Sequence, residues 1–121
     1  MGRLTLTGSA TTTIDGETFS LRSQFVVDAS HVAEWTRNIG TTYVELFDDV
    51  FVFIAIENLG AEDAVLRLFD GTDYIRFSVP AGGHILIPGA GIVDVTSAEF
   101  RSPSIRTIAN TSRIKVIIGT A

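Results

Sequence analysis

Two histidines, a crowd of carboxylates and three scattered aromatics are the groups in this chain whose types and spacing invite chemistry. His31 stands three residues before Glu34, a spacing that would share one face of a helix. A zinc pair of the HExxH kind needs a second histidine on that face, and none is there. His84 follows Gly82-Gly83, at the expected start of a strand, where an imidazole can be half-buried or bridge to a neighbour. A cupin-like metal site would need two histidines and a Glu clustered on adjacent strands, and these are lacking. Glu45, Asp48, Asp49, Glu57, Glu62, Asp63, Asp70 and Asp73 crowd between positions 45 and 73, with Arg67 the one cation among them. Paired carboxyls across a cleft hydrolyse glycosides, and clustered oxygens bind calcium. Most of these acids, however, fall in turn signals, where Asp bonds to its own backbone, and no EF-hand spacing is present. No GxSxG elbow supplies a serine nucleophile. Gly82-Gly83 and Gly89-Ala90-Gly91 lack the Lys-Ser/Thr of a phosphate loop. The chain is therefore expected to be no enzyme, with no catalytic residue, cofactor or metal.

What remains is recognition by surfaces. Trp35, Tyr43 and Tyr74 are candidates for stacking on sugar rings, which makes a carbohydrate-binding role the alternative reading. The last 21 residues carry Arg101, Arg106, Arg113 and Lys115 and no acid, opposite in sign to the 45–73 block. Within one molecule such blocks can pair across the sheet; between molecules, complementary patches orient contacts. Nine basic against fourteen acidic residues leave a net charge of −5. That balance weighs against a nucleic-acid partner, which needs a cationic face to displace counterions. The longest strongly apolar run, residues 50–56, is far short of the ~20 that a spanning helix needs, so no membrane partner is expected. The N-terminal residues lack an apolar core and do not read as a secretory signal.

The elements that would position these groups are strands. Leu4 and Leu6 alternate with Thr5 and Thr7, and Asp15-Gly16 separates residues 11–14 from 18–22 as a hairpin turn would. Residues 28–38 are the one stretch that reads as a helical turn, with Asp28 or Ser30 as its cap. From Gly40 onward come apolar runs at 42–47, 50–57, 65–69, 74–79, 84–87, 92–96, 104–108 and 113–118, divided by Gly, Pro, Asp and Asn. That pattern predicts a single all-β domain over residues 1–121. It would be an antiparallel, jelly-roll-like β-sandwich of about nine to eleven short strands.

Hydrophobic residues make up 45% of the chain and charged residues only 19%, more apolar surface than a small monomer comfortably hides. The 50–56 run is apolar on both faces, and Ile117 adds apolar surface to the outer side of the last strand. Val52, Phe53, Ile54, Arg113, Lys115 and Ile117 are thus the expected interface of a homo-oligomer.

The segment from Phe51 to Ile87 joins an apolar strand, the Asn58-Leu59-Gly60 turn, Val65-Leu66-Arg67-Leu68, Asp70-Gly71, residues 74–79 and Pro80-Ala81-Gly82-Gly83-His84. In this order it resembles small β-sandwich virion proteins of tailed bacteriophages. The Thr-rich opening at 4–14 and the abrupt C-terminal strand are similar in style. The resemblance implies a capsid decoration (cement) protein, often trimeric, or a small tail or fibre component. It also implies location in the virion and a major capsid or other virion protein as partner. No functional residue carries over, because such proteins work through surfaces. On this reading Phe53→Asp is expected to abolish folding or assembly, and His84→Ala to leave both intact, as read by circular dichroism and a sizing column.

Overall fold

The computed structural model describes residues 2–89 and 100–121 of the chain. These residues form ten strands and no helix. The first two strands, β1 (Gly2–Ile14) and β2 (Glu17–Ala29), make a ribbon that, among the described residues, pairs with no other strand. Ile14 opposes Glu17, so the loop is only Asp15-Gly16, and both residues take positive φ, 52° and 83°. That backbone twist matches the twist of the flanking strands, and Asp-Gly is among the few pairs that accept it. At 13 residues each, the two strands reach about 40 Å.

The other eight strands are β3 (His31–Ile39), β4 (Val44–Glu45), β5 (Phe53–Asn58), β6 (Ala64–Phe69), β7 (Tyr74–Val79), β8 (His84–Pro88), β9 (Arg101–Thr107) and β10 (Ser112–Thr120). They form two four-stranded antiparallel sheets, β3-β10-β5-β8 and β4-β9-β6-β7. Counted from β3, this is the order 1-8-3-6 and 2-7-4-5, the double Greek key of a jelly roll. The expected sandwich is therefore what the chain forms.

Alternation decides which side chains meet between the sheets. Ile54 and Ile56 on β5, Leu66 and Leu68 on β6, Ile105 on β9, and Ile114, Val116 and Ile118 on β10 are buried in one cluster. Phe53 points the other way, yet it too is fully buried, in a small second cluster with Ala29, Val52 and Ile117. Its ring lies directly over Gly119, where any side chain would collide with it. Part of the cover demanded by the two-sided apolar run thus comes from the chain itself, at the root of the arm.

The corner between the sheets is built around Asn58. Its amide donates to the carbonyls of Glu62 (2.6 Å) and Val79 (3.1 Å), and its Oδ1 accepts from Gly60 N–H (3.1 Å) and Ser112 Oγ (2.7 Å). One buried side chain so ties β5 and β10 of the first sheet to β7 of the second. A Cβ on Gly60 would meet Arg113 N at 2.8 Å, which reserves that position for glycine.

Three expectations change. Residues 28–38 are not helical: they end β2 and form most of β3, because β10 pairs with them from Ile39 to His31. Phe53 and Ile54 do not sit at an interface, since both are fully buried in their own chain and offer a partner no surface. The strands at 4–7 and 11–14 are one long strand, and β2 runs seven residues past Arg22. The strand expected at 92–96 lies outside the described residues. Asn58→Ala is expected to destabilise the fold by on the order of 3 kcal/mol, because it strands several buried polar partners at once; urea denaturation would read this.

Candidate binding surfaces

Three of the nominated carboxylates are taken up by backbone N–H groups of the loops. Asp70 Oδ1 accepts from Thr72 N (2.8 Å) and Asp73 N (2.7 Å), Asp63 Oδ1 from Ala81 N (3.0 Å), and Asp49 Oδ1 from Val50 N (2.8 Å). The turn hydrogen bonds hold the Asp70 carboxyl below its ordinary pKa. His31 is exposed at the end of β3 opposite Thr120, and His84 is exposed opposite Glu57. The two histidines thus stand on opposite edge strands of the same sheet. Among the described residues no three His, Asp or Glu side chains come close enough to hold a metal ion.

Three surfaces remain, the first being the arm. Cross-strand pairing sets Thr12 against Phe19 and Ile14 against Glu17, so these residues share a face with Leu21. Phe19 is 51% exposed, Ile14 57% and Leu21 69%, high values for large apolar side chains. Thr11, Thr13, Thr18, Ser20 and Arg22 take the other face, which is polar. The backbone register runs on through Ala10↔Leu21, Leu6↔Phe25 and Leu4↔Val27. Over residues 11–22 the ribbon is amphipathic, and among the described residues no other strand pairs with it.

The second surface is the outer face of the β3-β10-β5-β8 sheet. Ala55, Leu86 and Ile117 line a shallow groove of about 250 Å³, with Glu57, His84 and Lys115 along its border. Val32 lies two strands over from Phe53 across Gly119 and is also exposed. Lys115 is held by Glu34 at 3.1 Å, an exposed pair that contributes little to stability. Of the nominated interface residues, Val52, Lys115 and Ile117 are half-buried and Arg113 is exposed.

The third surface, on the outer face of the other sheet, gathers residues far apart in the chain. Arg67 on β6 lies directly opposite Arg76 on β7. The Arg67 guanidinium packs 3.9 Å from the Tyr43 ring centre and 4.4 Å from that of Tyr74, and Arg106 lies 5.2 Å from Tyr43. Partial burial by itself would raise the pKa of Tyr43. Hydrogen-bonding contact with Arg106 and Arg76, and the charges of Arg106 and Arg67, more than reverse this and set it below the ordinary tyrosine value. A register irregularity between Arg67 and Phe69 on β6 re-aims this part of the strand. Two of the three nominated stacking aromatics thus come together, with a guanidinium between them. Trp35 does not join them. It lies in the other sheet, against the main core and under Arg37 at 4.5 Å.

No protein-family model matches this chain, and neither does any curated protein.

Because the folded pKa of Tyr43 is depressed, its phenolate adds stability above the ordinary tyrosine pKa, and that contribution is lost as pH falls through the lowered value. Ultraviolet titration should show one tyrosine ionising early, absent in Tyr43→Phe and moved to higher pH in Arg106→Gln.

Proposed function

We propose that this protein is a non-catalytic structural component of a virus particle. It assembles with copies of itself through the β1–β2 arm and decorates a larger shell, as a phage capsid cement protein does. The observation that carries the reading is the arm: a long two-stranded ribbon with Ile14, Phe19 and Leu21 exposed on one face. An isolated hairpin is marginal in water, and an open apolar ribbon with free edges invites pairing with another chain. A neighbouring copy that covers that face supplies the missing layer.

Further support comes from the jelly-roll order, an architecture shared by capsid and lectin domains, and from the apolar groove on the first sheet. The trimeric state, the virion location and the capsid partner rest on the resemblance of residues 51–87 to tailed-phage virion proteins. The acidic 45–73 block and the basic C-terminal segment would orient the contacts, so assembly should weaken as salt screens them.

The test is absolute mass by light scattering on a sizing column. The native chain is expected to run as a stable oligomer of 13.0 kDa units. Phe19→Ser with Leu21→Ser is expected to give a monomer whose sandwich keeps its native circular dichroism. A native chain that stays monomeric at all concentrations would contradict the reading.

A further inference from the structure

Arg67 and Arg106 gather at the Tyr43 ring, Arg76 stands directly opposite Arg67, and among the described residues none of the three forms an ion pair with a carboxylate. Arg67 and Arg76 occupy directly opposed positions on one sheet face, a like-charge pairing that costs stability. The Tyr43 and Tyr74 rings offset part of that cost for Arg67. Among the described residues no carboxylate pairs with the three arginines to offset the rest. Arg67 Nε is buried without a hydrogen-bond partner, a deficit that buried polar groups normally avoid. The register puts Glu45 on the same face, beyond Ser104, yet it makes no ion pair with these arginines. Asp70, at the end of β6, spends its carboxylate on its own turn.

We propose that this cluster is a binding site for an oxyanionic group carried on a sugar. Guanidiniums present planar forks that match carboxylate, sulfate and phosphate oxygens. The sugar follows from Tyr74, whose ring packs against Phe69 and Arg67 yet stays 49% exposed, an aromatic surface beside the guanidiniums. A long polyanion such as nucleic acid fits less well. The chain carries a net −5, and Asp48, Asp49, Asp70 and Asp73 stand on the loops that follow β4 and precede β7. A single acidic group meets less of that field than a polyanion does. This site is separate from the arm, so it stands or falls independently of the oligomeric state.

Calorimetric titration of the full chain with oligogalacturonate, with a neutral galacto-oligosaccharide and with sodium sulfate separates the possibilities. Saturable binding of the acidic oligosaccharide is expected, with no binding of the neutral one and weaker binding of sulfate. Arg76→Gln, at an exposed position, should weaken the acidic ligand by about tenfold, and Arg67→Lys should weaken it while keeping the charge. The bound ligand should also move the early tyrosine ionisation to higher pH. Absence of binding, equal binding of the neutral sugar, or an unchanged affinity in Arg76→Gln would overturn the site. Sulfate binding as tightly as the oligogalacturonate would overturn the assignment to a sugar.

Discussion

A β-ribbon of two strands has one ladder of hydrogen bonds, two open edges and two faces, and it lacks the second layer that makes a sheet stable in water. Residues 2–29 of this chain are held to that constraint. Their pairing is continuous from Gly2↔Ala29 to Ile14↔Glu17, and their pleat separates a polar face from one bearing Ile14, Phe19 and Leu21. Shifting the register by one residue would exchange the two faces, so the tight Asp15-Gly16 turn also decides on which face Ile14, Phe19 and Leu21 stand. The functional reading follows from this arrangement, because a face so built is completed only from outside the ribbon.

The sandwich holds the arm at a defined place. Ala29 packs on Phe53, Ser30 N–H donates to Thr120 O at 2.9 Å, and Val52 N–H to Gly119 O at 2.7 Å. The base of the arm is therefore anchored to β10 and to the chain entering β5. Asn58 does the corresponding work at the other end of β5, where hydrogen bonds to Val79 and Ser112 fix the two sheets relative to each other. With core and corner fixed, the outward positions of each sheet are free to differ in character. One carries the groove of Ala55, Leu86 and Ile117, and the other carries the arginines around Tyr43.

Much of the sandwich is legible in the sequence, because short Val/Ile/Phe-rich runs between Gly, Pro and Asp can be little else. The 74–79 run coincides with β7, and residues 65–69 and 84–87 fall inside β6 and β8. The reading of 28–38 as a helical turn failed because Trp35 and its neighbours take their conformation from pairing with β10, a contact about eighty residues away in sequence. The arm was hidden by its Thr- and Ser-rich face. The signal lay in apolar residues at equal distances on either side of Asp15-Gly16, such as Leu6 with Phe25 and Leu4 with Val27. The arginine cluster was partly within reach as well, since counting outward from the Asp70 turn places Arg67 opposite Arg76. Arg106 and Tyr43 join them only through β9 and β4, which no local pattern reveals.

Amide hydrogen exchange of residues 2–29, followed as a function of protein concentration, tests the central claim most directly. If the arm is completed by a second copy, its amides should exchange rapidly in dilute protein. They should become protected over the same concentration range in which the mass rises, while the sandwich strands stay protected throughout. Arm amides that are equally protected in a demonstrable monomer, or that remain unprotected in the oligomer, would contradict the account.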